Sequence, residues 1–358
     1  MSNKINVLVV DDSAVARMHL VHLLEFDPQI RVIKIVNDGQ TALDFIQENQ
    51  PDVILMDINM PGMDGFETTR RIMETRPVPI IICSSTTNPR EIATTFRAME
   101  AGAVACVEKP VGREHADFEQ MSAELRLMVK LMSEVRVVKR WARTGSTPVT
   151  LPTLPPVAEV RQPLEEIKCI GIGVSTGGPP VLRTILAGLP KDFPVPILIV
   201  QHIARGFLSG LVEWLNQTTG LRIYIASNGI TPLPGHVYFA PDDFHLGIGA
   251  DGRIVLAREE PEEHLRPAVS FLFRSLAKVC GPGAVGVLLT GMGKDGAAEL
   301  KLMRDKGAIT ITQDRESSVV HGMPGEAIAL GGATHVLPSD NIAGALMALV
   351  GHKQGKGN

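Results

Sequence analysis

The sequence predicts an α/β protein made of two doubly wound domains, each built on a mostly parallel sheet. The chain has 358 residues, which is longer than a single hydrophobic core usually grows. Short apolar runs alternate with helix-like segments in both halves, a pattern typical of parallel sheets that are covered on both faces. A stretch of different composition separates the two halves, so we expect one sheet in each.

The N-terminal half contains four short apolar runs that predict buried strands. They are INVLVV at 5–10, DVILMD at 52–57, PIIICSS at 79–85 and AVACVEKP at 103–110. Helix-like segments follow these runs, beginning with residues 14–25. Apolar residues recur at helical spacing from 114 to 141, and we expect this last helix to close the domain and lead outward.

A second α/β series follows a linker. Residues 144–163, TGSTPVTLPTLPPVAEVRQP, are rich in Pro, Thr and Val and lack periodicity, which is typical of an extended segment. The predicted strands beyond it are IKCIGIGV, PILIVQ and RIYIA, a hairpin of HVYFAP with RIVLA, and finally AVGVLLT and AITIT. Helices are expected near 180–189, 208–218, 267–279 and 297–306. The predicted domains are therefore 1–125 and 167–350, joined by a helical extension and linker at 126–166 and followed by a frayed tail at 351–358.

Composition and charge exclude several classes of protein. The 35 Lys and Arg residues are outnumbered by 39 Asp and Glu, and the net charge of −4 gives no electrostatic drive toward nucleic acid. No apolar run is long enough to cross a membrane, and the first one leads directly into Asp11 instead of a signal-peptide cleavage site. The four cysteines are scattered, as expected for reduced thiols. We expect a cytoplasmic monomer that neither binds nucleic acid nor inserts into a membrane.

Chemically active residues follow the apolar runs of the first domain. Asp11 and Asp12 follow the first run, Asp57 ends the second, Ser84 follows PIIIC and Lys109 follows AVACVE. The carboxyl ends of parallel strands meet at one edge, so we expect these side chains to share a crevice. Three carboxylates there would suit Mg²⁺, while the lysine and the serine could hold a phosphoryl group carried by one aspartate. Any one of them could instead be a helix cap or a surface charge, but the ordered set favours a common site.

The ordered motifs VVDDS, DVILMDINMPGMDG, SS and EKP resemble the receiver domain of response regulators over about residues 4–125. This resemblance implies a flavodoxin-like fold in which Asp57 accepts the phosphoryl group. It implies further that Asp11 and Asp12 hold Mg²⁺ together with Asp57, and that Ser84 and Lys109 form the switch pair.

The segment GIGVSTGG at 171–178 places Ser175 in a glycine-rich turn after an apolar run. Residues 173–177 match G-x-S-x-G, in which a serine is held at a sharp strand-to-helix turn. A phosphate-binding loop is the rival interpretation. The segment lacks the Lys-Ser/Thr ending of a P-loop, however, and Thr176 stands where a dinucleotide fingerprint has its third glycine. The motif alone is weak, so the assignment depends on the partners of Ser175.

A serine nucleophile needs a base, and the base needs a carboxylate to orient it. His202 directly follows PILIVQ, and AVGVLLT runs into the GMGKDG loop that contains Asp295. Both residues are expected at the same sheet edge as Ser175, where backbone N–H groups of the glycine loop and of the helix start could face an oxyanion. A packed histidine and a helix N-cap are the structural alternatives. Four other histidines could serve as the base instead, and these are His236, His245, His264 and His321.

Several segments of the second half are similar to the chemotaxis protein-glutamate methylesterases over about residues 167–350. They include GVSTGGP, IVQHIARGF, RPAVSFLF, GVLLTGMGKDGA and VVHGMP. The resemblance implies a three-layer α/β domain in which Ser175 attacks a glutamyl methyl ester of a chemoreceptor, His202 acts as base and then acid, and Asp295 orients the imidazole. N–H groups of Met292 and near Thr176 would bind the oxyanion.

The same resemblance implies that receptor glutamines are deamidated, that the esterase needs no cofactor, and that a chemotaxis-type sensor histidine kinase is the phosphodonor. The chain departs from the family patterns at Cys106, Ala204, Arg205, Trp214, Ser270 and Glu299. We expect the unphosphorylated receiver to cover the mouth around Ser175, and phosphorylation of Asp57 to release it. The alternative function is a catalytically silent module that docks to receptors in a phosphorylation-dependent way.

Overall fold

The computed structural model describes residues 4–84, 89–110, 112, 114, 118–135, 137 and 165–351. The chain divides into two compact units, Met1–Val149 and Thr150–Asn358, and each has its own sheet. The linker predicted at 144–163 lies outside the described residues, as does the predicted tail beyond residue 351.

The first unit is built on a five-stranded parallel sheet with the order β2-β1-β3-β4-β5. The strands are β1 (Ile5–Val10), β2 (Ile30–Val36), β3 (Val53–Met56), β4 (Ile80–Ser84) and β5 (Ala105–Glu108). The helices are α1 (Ala14–Glu25), α2 (Gly39–Glu48), α3 (Gly65–Thr75), α4 (Pro89–Ala101) and α5 (Phe118–Ser133). This is the flavodoxin-like strand order that the sequence predicts.

Side-chain caps fix the turns by which α1, α2 and α3 begin. Ser13, Asp38 and Asp64 each accept a hydrogen bond from the backbone N–H three residues later, which satisfies a donor that the helix itself leaves free. The helix predicted at 114–141 is observed only from Phe118 to Ser133, and residues 138–141 lie outside the described residues.

Strand β2 is an element that the pattern of apolar runs did not predict. Its sequence, IRVIKIV, carries two charged residues, and most of its side chains are at least partly exposed. It lies at the edge of the sheet, where only one side of the strand pairs with another strand of the described residues. An edge strand therefore needs less apolar sequence than the central strands do.

The second unit contains a seven-stranded sheet with the order β14-β13-β12-β6-β7-β9-β8, in which every pairing is parallel. The strands are β6 (Cys169–Val174), β7 (Ile197–Gln201), β8 (Arg222–Ile225), β9 (His236–Phe239), β12 (Ala284–Leu288), β13 (Ile309–Gln313) and β14 (His335–Leu337). The chain leaves β6 toward β7 on one side and later returns to β12 on the other. The order thus reverses beside β6, and such a switch point opens a crevice at the carboxyl ends of the strands.

Six helices of the described residues accompany this sheet, and α8 packs closely on it. They are α6 (Gly178–Ala187), α7 (Leu208–Thr218), α8 (Val269–Val279), α9 (Ala297–Asp305), α10 (Met323–Ala329) and α11 (Ser339–Val350). Leu272, Phe273 and Leu276 of α8 are fully buried against β6. Gly173 of β6 allows this approach, because a Cβ there would lie 2.3 Å from Cγ1 of Val269.

The prediction that HVYFAP and RIVLA pair as a hairpin is wrong, because only RIVLA lies in an antiparallel pair. HVYF forms β9, which lies in the large sheet parallel to β7 and β8. RIVLA contains β11 (Ile254–Ala257), and its antiparallel partner is β10 (His245–Ile248), in a separate two-stranded sheet. The turn at residues 249–253 directly joins β10 to β11, so the antiparallel pair uses the nearer run.

The remaining predicted helices agree with α6 to α9 within about two residues, whereas α10, α11 and β14 were not predicted. β14 is an edge strand of three residues with little burial, so its sequence carries a weak pattern. Among the residues that the structure describes, no helix is both long enough and apolar enough to cross a membrane.

Candidate active site and phosphoacceptor site

The acidic cluster of the first unit surrounds one lysine. Asp11 follows β1, Asp57 follows β3 and Lys109 follows β5, so three strand ends bring them together. Lys109 Nζ lies 2.7 Å from Asp11 Oδ2 and 2.9 Å from Asp57 Oδ1. Asp11 and Asp57 are buried, whereas Asp12 is exposed. The lysine therefore balances two buried carboxylates.

Burial changes the pKa values of this cluster. Burial raises the pKa of Asp57, and the charge and hydrogen bond of Lys109 only partly oppose the effect. Burial also acts to lower the pKa of Lys109, but the contacts with Asp11 and Asp57 outweigh it and the pKa is raised. The lysine consequently stays charged beside its partners.

The three carboxylates fit a divalent cation of the magnesium type. Asp11, Asp12 and Asp57 each offer an oxygen, and these oxygens lie within 4.8 Å of one another. Oxygen-only ligands with an exposed side, here supplied by Asp12, suit Mg²⁺, which keeps several of its waters.

Ser84 and Cys106 lie on the two neighbouring strands of this edge. Ser84 is the buried last residue of β4, and its carbonyl accepts a hydrogen bond of 2.8 Å from the N–H of Lys109. Cys106 is a partly exposed residue of β5. The predicted switch pair, Ser84 and Lys109, is thus joined through its backbone.

In the second unit, Ser175 is the first residue after β6, and its backbone is held on both sides. Its N–H donates to the carbonyl of Thr290 at 3.0 Å, and its carbonyl accepts from the N–H of Gly178 at 2.9 Å. Gly177 has a φ of 77°, which favours glycine, and a Cβ at this position would lie 2.5 Å from Cβ of Val319. The result is a sharp turn from strand to helix with a partly exposed serine at its apex.

His202 is the first residue after β7 and lies beside Ser175 in the strand register. Val174 pairs with Gln201, and the N–H of His202 donates to the carbonyl of Val174 at 2.9 Å. The imidazole Nε2 lies 3.0 Å from Asp295 Oδ2. It is buried and makes no well-aligned hydrogen bond within the part of the chain that the structure describes. Nε2 is therefore the ring nitrogen that faces Asp295.

Asp295 lies beside the beginning of α8 and accepts three hydrogen bonds from that helix. The donors are the N–H of Val269 at 2.6 Å, the N–H of Ser270 at 2.9 Å and the hydroxyl of Ser270 at 2.6 Å. Burial alone would raise the pKa of Asp295, but His202 and Ser270 outweigh it and the pKa is lowered. A helix N-terminus also favours a negative charge, so Asp295 is held as a carboxylate.

The loop after β12 lies against the serine turn. A Cβ on Gly291 would be 2.8 Å from Cβ of Ser175, so only glycine permits this approach. Thr290 ties the two loops together, because its hydroxyl donates to the carbonyl of Thr176 at 2.9 Å. Within the described residues, no backbone hydrogen bond uses the N–H of Thr176 or of Met292, and Met292 is exposed. Both N–H groups are therefore available to a ligand.

Comparison with known proteins gives two matching family models. The CheB methylesterase family matches residues 170–346 and the response regulator receiver domain matches residues 7–117. A protein-glutamate methylesterase/protein-glutamine glutaminase of Nitrosospira multiformis is 52% identical and covers 98% of each chain. One from Geobacter metallireducens is 53% identical over 98% of this chain and 100% of the relative. This chain belongs to that methylesterase/glutaminase family.

A solved structure supports the family assignment of the second unit. The CheB methylesterase catalytic domain of Thermotoga maritima is 40% identical, with a TM-score of 0.50, and covers 52% of this chain and 100% of that domain. The α/β architecture of this family member is therefore shared with a known catalytic domain.

The four competing histidines of this methylesterase family member differ in their surroundings, and one of them, His321, bridges to Gly291 beside the serine turn. His236 stacks with both Tyr224 and Tyr238, and His245 is buried, with its ring nitrogens bonded to the Ala268 N–H and the Glu260 carbonyl. The remaining one, His264, is exposed.

Sequence reasoning missed the side chains that support the site. In the sequence Ser270 stands out only as a departure from the family pattern, yet its hydroxyl donates to Asp295. Gln201 and Thr290 do not stand out at all. The sequence feature that could have identified such a supporting side chain is a polar residue at the end of an apolar strand. A polar residue in that position is usually buried only when it is hydrogen-bonded. Two other departures form surface ion pairs, Arg205 with Asp243 and Glu299 with Arg274.

Proposed function

We infer that this chain is a phosphorylation-controlled protein-glutamate methylesterase and protein-glutamine glutaminase. Its substrates are glutamyl methyl esters and glutamines of chemoreceptors, which serves sensory adaptation. The single observation that carries the chemistry is the convergence of Ser175, His202 and Asp295 at one sheet edge, with Nε2 of His202 3.0 Å from the Asp295 carboxylate. Their catalytic roles are part of this proposal.

In the first half of the reaction, the Ser175 hydroxyl attacks the ester carbonyl while the imidazole of His202 takes its proton. Asp295 holds the ring and stabilises the imidazolium that forms. The negative charge on the carbonyl oxygen is received by the N–H groups of Thr176 and Met292. Collapse of the tetrahedral intermediate expels methanol, which takes its proton from His202, and leaves a glutamyl-serine ester.

In the second half, His202 removes a proton from water, and the resulting nucleophile attacks the glutamyl-serine ester. The intermediate then releases Ser175, which takes the proton back from His202, and gives the free receptor glutamate. A glutamine substrate follows the same path with ammonia as the leaving group, since an amide and an ester require the same nucleophile and the same oxyanion donors. No step of this path requires a metal.

The first unit controls this activity through Asp57. We propose that Asp57 accepts a phosphoryl group from a chemotaxis-type sensor histidine kinase, while Asp11, Asp12 and Asp57 hold Mg²⁺. The ion would neutralise charge on the phosphoryl oxygens during transfer. Lys109 pairs with Asp11 and Asp57 and can move to a phosphoryl oxygen, and Ser84 can donate to another. We propose that the unphosphorylated receiver restrains the esterase and that phosphorylation of Asp57 relieves this restraint. A monomeric state and a cytoplasmic location stay predictions.

Methanol release from methylated receptor membranes tests the proposal. Ser175→Ala should lower the rate by about 10³-fold or more, because the nucleophile is lost, and it should leave receptor binding unchanged. Ser209→Ala is the matched control, since Ser209 is exposed on α7 and its loss should not affect the rate. Receptor binding without methanol release from the native chain would instead support the silent docking module.

A further inference from the structure

Gln201 is a buried polar residue that ends β7 between the two proposed catalytic residues. It is 5% exposed, directly precedes His202, and pairs with Val174 in the β6–β7 register. Its side-chain Nε2 donates to the carbonyl of Ser175 at 3.0 Å and to the carbonyl of His202 at 2.8 Å. One carboxamide thus joins the backbones of the nucleophile and the base.

The Gln201 carboxamide adds side-chain hydrogen bonds at the ends of β6 and β7, beyond the last backbone hydrogen bond that joins these two strands. The N–H of His202 still bonds to Val174 across the two strands, but the carbonyls of Ser175 and His202 lie past the paired residues. An NH₂ group has two hydrogens, and here each points to one of these carbonyls. The side chain therefore fixes the separation of two strand ends where backbone pairing has stopped.

The surrounding sequence is adapted to the Gln201 side chain. Gly178, at the beginning of α6, leaves the space for it, since a Cβ there would lie 2.4 Å from Gln201 Oε1. Oε1 itself is buried and has no hydrogen-bond partner among the described residues. A buried acceptor without a partner is unfavourable, so packing alone would favour an apolar residue at this position. The two bonds made by Nε2 are what the position gains from glutamine.

We propose that Gln201 is a positioning residue that sets the distance between Ser175 and His202. This inference rests on the proposed catalytic roles of those two residues. The Gln201 side chain is buried and its hydrogen bonds go to backbone carbonyls, so its loss should impair the chemical step and leave substrate binding intact.

The test is Gln201→Met in the full-length chain, which keeps length and volume and removes both donors. We expect kcat for methanol release to fall about 10- to 100-fold, because a misplacement of about 1 Å between reacting groups has an effect of that size. KM should change less than about threefold. The rate at which a fluorophosphonate labels Ser175 should fall by the same factor as kcat, because labelling needs the same nucleophile and base.

Asn216→Leu is the matched control for the loss of a bridging carboxamide. Asn216 Nδ2 also donates to two carbonyls, those of Val212 and Ile223, at 3.0 and 2.8 Å, but it joins α7 to β8. We expect this variant to lower the midpoint of thermal unfolding and to keep kcat and the labelling rate. Should Gln201→Met fail to fold, Gln201→Asn retains a buried amide that is too short to reach both carbonyls, and the same loss is expected.

Two results would overturn the inference. One is a kcat within twofold of the native value in the folded Gln201 variant. The other is an equal loss of kcat in Asn216→Leu at equal thermal stability, which would show a general structural effect. Failure of the proposed function is distinguishable from both, because the native chain would then release no methanol, or Ser175→Ala would release it at the native rate.

Discussion

At the scale of single residues, the site depends on a carboxylate that is buried and yet ionised. Burying a charge is unfavourable unless it is paired and hydrogen-bonded. Asp295 meets that condition with two backbone donors, one hydroxyl and the imidazole of His202. Its lowered pKa follows from these contacts, so removing any one of them should weaken both the charge and the orientation of the imidazole.

Ser270→Ala removes the hydroxyl that bridges Asp295 and the N–H of Gly296, which lie 2.6 and 3.0 Å from it. We expect the free energy of unfolding to fall by about 1.5–3 kcal/mol, the usual contribution of a hydrogen bond to a charged group. If about 1 kcal/mol of this stabilisation is also lost in the transition state of the reaction, kcat falls about fivefold. Chemical denaturation and methanol release measure the two effects.

Ser270→Thr and Ser275→Ala are the controls for this prediction. Ser270→Thr keeps the hydroxyl and should restore both values. Ser275 lies on the same helix, but its hydroxyl donates to Leu272 and accepts from Ile248, so Ser275→Ala should reduce stability without reducing kcat. A fall in kcat for Ser275→Ala that equals the fall for Ser270→Ala would contradict the role of the Asp295 contact.

At the scale of elements, the strand ends were predictable and their supports were not. A strand end is marked in the sequence by an apolar run that stops, and this mark alone predicts the positions of Asp11, Asp57, Lys109, Ser175 and His202. Strand β2 was not predicted, because an edge strand tolerates charged residues and therefore lacks a continuous apolar run. The contact of Asp295 with α8 was not predicted, because it joins segments distant in sequence and no local sequence pattern indicates such a hydrogen bond. The pairing of β10 with β11 shows that the nearer run is the better hairpin partner.

The segment before α10 is hydrogen-bonded to the loop that contains Met292. His321 lies in this segment, and its protonation makes the stability of the folded protein depend on pH. Burial and then the charge of Arg315 lower the pKa of His321 below its ordinary value of 6.5. The unfolded chain therefore binds this proton more readily, so stability falls as the pH decreases through 6.5 and is recovered above it.

His321→Gln should remove this contribution. The difference in free energy of unfolding between the native chain and the variant should become more favourable to the native chain from about pH 5 to about pH 7.5. Urea denaturation at several pH values measures it. A difference that stays constant over this range would refute the proposed proton linkage.

At the scale of the whole molecule, the two units couple a phosphoryl acceptor to an esterase. A small-molecule phosphodonor with Mg²⁺ should raise methanol release about 5- to 150-fold, the usual range of coupling between two sites. Asp57→Asn should abolish the stimulation and keep the basal rate, and chelation of the metal should have the same effect on the native chain.

Asp64→Asn is the matched control, because Asp64 caps α3 and asparagine caps a helix equally well. It should remain responsive to the phosphodonor. The fragment from Ile167 onward should be faster than the unphosphorylated full chain. A fragment no faster than that chain would exclude occlusion by the receiver, while leaving the serine chemistry untouched.

The reversal of strand order beside β6 also affects how soon the enzyme becomes active as the chain folds. Cys169 is adjacent to Ala284 across β6 and β12, so more than a hundred residues of chain must emerge and collapse before these neighbours meet. Sheets assembled from such remote partners form slowly. Recovery of esterase turnover after dilution from denaturant should consequently lag behind the return of helical circular dichroism.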